Sequence, residues 1–381
     1  MDPIAHTLTG GALAAAGLRR ATPLAAAALV IGANVPDVDV VAHLGGDYTA
    51  LAHRRGWTHG ILAIVAWPLV VCGLLLAWDR VIRRRRAGIA PARPGALWAV
   101  AALGVATHPL LDWLNNYGMR WLMPFDGRWS YGDAWFIVDP WVWLSLGGVL
   151  CLMHSRAWWS AGLWIVLAFF TTRLILTEPL VPPFARGAWL AGIAAIVIAR
   201  VAGFAAPRRE PAVERAARAV LVLVAAYMIA ALAANLPARA EVRAALGALG
   251  IGPIERVMVG PSPADPLAGE VVAVTADAYH AGRWHWLGKP RFEYAGTRIA
   301  RPAPDDPLFA AAARAPEARD FLSWSRFPYV IVEPGPAGSA VAHVLHFRDA
   351  RYLNREGIQG PSVQLDHALR VQSSPPIRME K

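Results

Sequence analysis

Charge is what this chain has least of. Of its 381 residues only 17% are Asp, Glu, Lys or Arg, against about 25% in an ordinary soluble protein. Lysine is almost missing: Lys289 and Lys381 are the two lysines among 37 basic residues. Cysteine is as rare, with Cys72 and Cys151 each inside an apolar run. Two such thiols exclude a disulfide scaffold and are expected to be plain core residues. The shortage of charge excludes a disordered chain.

In its place stand apolar residues, 56% of the total, with a mean hydropathy of +0.37 and 17 Trp. They come in blocks. Trp57–Trp78, Gly95–Leu114, Trp158–Thr177 and Ala217–Leu236 reach the roughly 20 residues that cross a bilayer. Gly187–Phe204 is marginal because Arg200 interrupts it, and Pro140–Met153 is short. Leu8–Leu18 and Pro23–Ala33 flank Arg19-Arg20 and read as a shallow helical hairpin. The acidic start Met1-Asp2-Pro3 lacks the basic region of a cleavable signal peptide. The expected fold class is mainly α: a polytopic transmembrane helical bundle over residues 1–237, followed by a soluble domain over 238–381.

Arginine position sets the expected orientation. Residues 1–239 hold 21 basic against 12 acidic residues, and the remainder 16 against 15. The clusters Arg83–Arg86 and Arg208-Arg209 sit between apolar blocks. Placing both in the cytoplasm collects fourteen basic residues there and leaves five outside, so the positive-inside rule exports the tail. Arginines used in this way argue against a nucleic-acid partner. The tail itself has short β-prone runs at Val257–Val259, Glu270–Val274, Phe292–Tyr294, Tyr329–Val332 and Val341–Phe347, with a helix expected near Leu308–Ser323. It reads as a small β-rich (α+β) extracytoplasmic domain.

The polar residues of the first 140 positions are of metal-ligand type. They are His6, Asp37 and Asp39 in Asn34-Val-Pro-Asp-Val-Asp39, His53 and His59 in His53-Arg-Arg-Gly-Trp-Thr-His59, and His108 and Asp112 in Thr107-His-Pro-Leu-Leu-Asp112. Asp133 and Asp139 follow. Imidazole nitrogen with carboxylate oxygen suits zinc or a similar divalent ion. His108 and Asp112, four apart in a helix, project from one face. In the topology above every one of these residues lands at the outer membrane face, and ionisable groups at membrane depth tend to be functional. A lone His in a membrane helix is more often a hydrogen-bond partner of a neighbouring helix, and Asp139 before Pro140 has the position of an N-cap.

The motifs, in their order, resemble the YdjM-like family of inner-membrane metal-dependent hydrolases. The resemblance rests on Met1-Asp-Pro-Ile-Ala-His-Thr-Leu-Thr-Gly10, Asn-x-Pro-Asp-x-Asp, His-Arg-x-Gly-x-Thr-His, Thr107-His-Pro-Leu-Leu-Asp-Trp-Leu-Asn115 and Gly132-Asp-x-x-Phe-Ile-x-Asp-Pro140. It covers roughly residues 1–150, and Phe321-Leu-x-Trp-Ser-Arg-Phe-Pro328 is similar to that family's C-terminal extension. The spacing of His6, Asp37 (or Asp39), His53, His108 and Asp112 is also similar to that of zinc-dependent phospholipase C.

Together these features predict a membrane-bound hydrolase using one or more divalent ions, zinc above all, on a phosphoester or lipid-type substrate at the outer face of the inner membrane. His6, Asp37, His53, His108 and Asp112 are the expected ligands. Asp39, His59 and Asp139 are expected to serve catalysis as a base, as ligand-orienting groups or as holders of a second ion. Arg54, Arg55 and Arg120 are expected to hold an anionic headgroup. The rival readings are a non-catalytic metal-binding or transport protein, and a structural envelope protein with a structural metal. Ligands gathered at one face argue against conduction.

Overall fold

The computed structural model of the chain describes residues 1–353 and 360–372. Two compact units divide it, the first formed by Met1–Val38, Arg55–Asn235 and Gly260–Pro266, the second by Asp39–Arg54, Leu236–Val259 and Leu267 onward.

The first unit is helical. α1 (Pro3–Ala15), α2 (Ala25–Gly32), α4 (Ile61–Val81), α5 (Pro94–Trp113), α6 (Pro140–His154), α7 (Trp158–Thr177) and α8 (Pro183–Val201) belong to it, and α3 (Asp47–His53) belongs to the second unit. A long helix, α9 (Glu210–Ala248), begins in the first unit and ends in the second. Proline opens α1, α5, α6 and α8, where its missing N–H is no loss. Asp2 caps α1 by accepting from the Ala5 N–H at 3.0 Å, and Asp139 caps α6 by accepting from Trp141 and Val142 at 2.9 and 3.0 Å.

Among the described residues six segments are long and apolar enough to cross a membrane: Ala25–Gly45, Ile61–Arg85, Pro94–Trp113, Trp158–Thr177, Pro183–Val201 and Pro207–Ala248. Two of these extend the sequence reading. The block interrupted by Arg200 is a 19-residue helix, and α2 continues into a 3-10 stretch, Val35–Gly45. α6 is a 15-residue helix, short of a crossing. The helices show large apolar side chains outward, Leu74, Ile165, Phe169 and Val222 among them, each more than half exposed. Such a surface belongs in lipid.

The second unit carries most of the β-structure. β1 (Arg256–Ser262), β2 (Asp265–Val274), β3 (Ala278–His285) and β4 (Phe292–Ala300) form an antiparallel sheet in chain order. After α10 (Pro307–Ala312) and α11 (Pro316–Trp324) come β5 (Pro328–Pro334), β6 (Val341–Asp349), β7 (Ser362–Asp366) and β8 (Val371–Gln372), a second antiparallel sheet in chain order. The expected single helix is thus two, and β6 has the expected alternation from Leu345, with Leu345 and Phe347 buried on one face, after a register shift between Val341 and His343 at its start. Inside this unit Asp349 and Arg351 form a buried ion pair at 2.8 Å, with the guanidinium 4.3 Å above the Trp324 ring. Burial by itself would raise the Asp349 carboxyl, but the Arg351 charge, the Ser325 hydroxyl and the Arg351 N–H hold it below the usual carboxylate range.

Candidate metal centre

α5 supplies two side chains to one point. His108 and Asp112 lie one turn apart and both are fully buried. α2 is held against α5 and α1 by glycines on either side of Leu29. A Cβ on Gly104 would stand 2.6 Å from the Leu29 carbonyl oxygen, and one on Gly10 would stand 2.8 Å from it. This approach delivers the Ala33 carbonyl to within 2.7 Å of His108 Nδ1. The imidazole therefore donates from Nδ1 and keeps a bare lone pair on Nε2.

His59 arrives from a turn. α3 ends at Arg54, whose backbone is extended, and Arg55 takes a positive φ of 53°. His59 and Gly60 then fold back, their N–H groups donating to the Gly56 carbonyl at 3.0 and 2.8 Å. Gly60 is required there, because a Cβ would lie 2.5 Å from the Met123 carbonyl oxygen. The Thr58 hydroxyl stands 2.9 Å from His59 Nδ1. Asp37 comes from the 3-10 stretch after α2, with its N–H on the Asn34 carbonyl at 3.1 Å.

One ligand atom from each of Asp37, His59, His108 and Asp112 lies within 4.8 Å of all the others. His59 Nε2 is 3.1 Å from His108 Nε2, 3.3 Å from Asp112 Oδ2 and 3.9 Å from Asp37 Oδ1. His108 Nε2 is 3.6 Å from Asp112 Oδ2 and 3.7 Å from Asp37 Oδ1. Four ligand atoms held roughly 2.0–2.1 Å from one ion in a tetrahedron stand about 3.3 Å apart, so these separations fit a divalent cation. Two carboxylates and two imidazoles facing one another in a buried space offer four donor atoms to such a cation. Asp37 is the corner nearest solvent, with its side chain 17% exposed against 0–1% for the other three.

The surroundings orient Asp112. Arg55 Nε is 2.9 Å from its Oδ2, while the Met1 amine and His6 Nε2, the latter at 3.3 Å, meet its Oδ1. Arg55 is itself held by the Asn115 side-chain oxygen at 2.9 Å and lies 4.4 Å over the Tyr117 ring. His6 stacks on His108, ring centres 3.7 Å apart. Its Nδ1 is buried without a hydrogen-bond partner among the described residues.

Several expected roles shift. His59, expected as a catalytic or orienting group, is one of the four convergent residues. His53, expected as a ligand, is not: it sits on α3, exposed, with Nδ1 2.9 Å from the Thr49 carbonyl. The chain leaves the helix one residue after it, and that turn carries the second histidine of the motif inward instead. Arg55 is buried against Asp112 and has no reach for a headgroup. Arg120 is buried as well, its guanidinium 4.7 Å over Trp129. Arg54 pairs with Asp39 at 3.3 Å. Asp139 serves as the α6 cap and accepts from the Tyr227 hydroxyl at 3.1 Å, so its oxygens are taken up in structure. Asn115 went unassigned in the sequence, although its place in the motif beside Asp112 was visible.

A multi-helix membrane region with a buried His/Asp cluster defines the class: a membrane protein with a candidate metal site. Residues 1–180 match the model of one family, the YdjM inner membrane protein, in agreement with the motifs. Among curated proteins, the uncharacterized protein YfhP of Bacillus subtilis (strain 168) is 25% identical over 159 residues, which are 39% of this chain and 44% of YfhP. The chain thus spans under half the length of that relative. No solved structure matches the chain.

Proposed function

We propose that the chain is a membrane-bound, metal-dependent hydrolase acting on a phosphoester of lipid type at the outer face of the inner membrane. The convergence of Asp37, His59, His108 and Asp112 carries this reading. These four hold the cation, with zinc the best match to two imidazoles and two carboxylates. When bound, such an ion supplies Lewis acidity, polarising a phosphoryl oxygen and acidifying water. His108 contributes a lone pair fixed by its bond to the Ala33 carbonyl, and Arg55 fixes the Asp112 carboxylate. Asp37, at the solvent edge, is where substrate enters. Trp57, Leu122 and Phe125, all exposed in the loops that carry or support the site, suit a lipid–water boundary.

A second reading has its own support. Four protein ligands are the complement of a closed, structural site, and the metal then holds α2, α5 and the Arg55–Gly60 turn together. Turnover separates the two. Purified protein loaded with zinc or manganese is offered a phosphodiester lipid in mixed micelles, beside His108→Ala. Metal-dependent release of the headgroup, lost in the variant, is expected. Tightly held stoichiometric metal with no turnover of any phosphoester or acyl ester would leave the structural reading.

A further inference from the structure

Away from the four convergent residues, the helical unit contains a cavity of about 300 Å³ between α1, α6, α7 and α8. Its wall is apolar. Ile4 and Leu8 close it from α1, and Ile193, Ile196 and Val197 line it from α8. Small residues make the room: Gly147 and Gly148 on α6 and Ala161 and Ala168 on α7. A pocket of this size is at the lower end of those that take organic ligands.

The two ends differ. At one, the indoles of Trp143 and Trp189 form the wall, their N–H groups donating to Asp2 at 3.1 Å and to the Thr172 hydroxyl at 2.9 Å. At the other stand Ser155 and Arg200. Arg200 is the one charged residue in the described lining, and no acidic side chain shares the wall with it. Its Nε and Nη2 donate to the Ser155 carbonyl and hydroxyl between 2.9 and 3.3 Å, and Nη1 has no partner among the described residues. That fixes the guanidinium and leaves N–H donors for an anion.

Length selects the occupant. From Trp189 to Arg200 α8 advances eleven residues, about 17 Å at 1.5 Å per residue. One leaflet of hydrocarbon is about 15 Å deep. An apolar slot of leaflet depth, closed by indoles at one end and carrying a lone arginine at the other, has the shape and polarity of a phospholipid. Arg208 and Arg209 stand on the segment after α8, and Arg156 next to Ser155 is paired with Glu210 at 3.0 Å; the remaining excess of arginine favours a net negative headgroup.

We propose that this cavity binds one acyl chain of an anionic phospholipid, with the phosphate at Arg200. The site serves as a lipid anchor within the bundle and uses none of the Asp37, His59, His108 or Asp112 side chains. The test is native mass spectrometry of the full, delipidated protein titrated with phosphatidylglycerol or with phosphatidylcholine of the same chains. A single phosphatidylglycerol adduct is expected at a concentration at least about tenfold lower than for phosphatidylcholine. Ala168→Phe, which fills the slot, and Arg200→Gln should each remove that preference, and Arg200→Lys should restore part of it. Equal binding of the two lipids by the unaltered protein overturns the proposal even if a variant fails to fold. So does full retention of phosphatidylglycerol by a folded Ala168→Phe protein. Displacement of the lipid by inorganic phosphate alone at equal concentration would place the ligand at Arg200 without the slot, and would also overturn it.

Discussion

His59 and His108 face each other with their Nε2 atoms 3.1 Å apart. The His108 nitrogen has no proton to offer, because its other nitrogen donates to the Ala33 carbonyl. A neutral His108 therefore turns a lone pair inward, beside Asp112 and Asp37. Replacing His59 or His108 by Ala should lower bound zinc or manganese from about one ion per chain to under about a tenth. Elemental analysis of purified protein reads this directly. His53→Ala serves as the comparison and should keep its metal; equal metal in all three proteins would defeat the assignment.

Arg55 should act on the metal through Asp112. Arg55→Gln removes the Nε contact at 2.9 Å and frees the carboxylate to rotate. Metal affinity is expected to fall by about ten- to a hundredfold, measured by competition with a chelator of known strength. Arg54→Gln, which loses the pairing with Asp39, should stay within about twofold of wild type. Identical affinity in both variants would leave Arg55 without a positioning role.

The α2–α5 approach predicts a coupling between packing and metal. Gly104→Val places methyl groups where the Leu29 backbone already sits, and overpacking of this kind costs about 1–3 kcal/mol. The expected result is a lower thermal midpoint together with weaker metal binding, since the Ala33 carbonyl moves away from His108. Gly73→Ala, at a position with nothing within 4 Å of its Cβ, should change neither. A Gly104→Val protein with full metal affinity would separate the site from the helix contact.

Acid should loosen the second unit through Asp349. Its carboxyl is lowered in the fold, so the stability it contributes is present above the unfolded value of about 3.9. That stability is lost as pH falls through the lower folded value. Denaturant midpoints taken from pH 7 down to about pH 3 should therefore fall more steeply for wild type than for Asp349→Asn. Parallel profiles would assign the acid response elsewhere.

The side of the membrane that holds the tail is testable in whole cells. The arginine distribution predicts that residues beyond α9 are outside. With Cys72 and Cys151 replaced by Ser, a single Cys at the exposed Ser339 should react with a membrane-impermeant maleimide in intact spheroplasts. Labelling only after lysis would invert the orientation.

Much of this was legible in the chain itself. α7 occupies the same residues, Trp158–Thr177, that hydropathy marks out. His108 and Asp112 converge because a helix repeats every 3.6 residues, and that period is written in their spacing. Other features depended on contacts that no local pattern carries. Helix α9 continues past Pro237 to Ala248, although an interior proline costs about 3 kcal/mol. Ala238, Val242 and Leu246 are fully buried beyond it, packed with Val257, Val271 and Trp284, and that burial offsets the loss. β3 escaped notice because Ala278–His285 holds no β-branched residue and carries Gly282 and Arg283, and its register with β2 and β4 decides its form. The choice of His59 over His53 was hidden for a similar reason. Both belong to one motif, and only the backbone turn at Arg54 and Arg55 tells them apart.

The acceptor that fixes His108 is a main-chain atom, the Ala33 carbonyl. No replacement of the residue 33 side chain can delete it. Point changes elsewhere along the α2 terminus are buffered in the same way, since every amino acid brings a carbonyl. The weak spot lies in chain length: adding or deleting one residue between Gly32 and Asp37 would rotate the carbonyl off the imidazole and shift Asp37 with it. Variants of this region should therefore tolerate exchange far better than insertion, a difference that a saturation library with single-residue indels would expose.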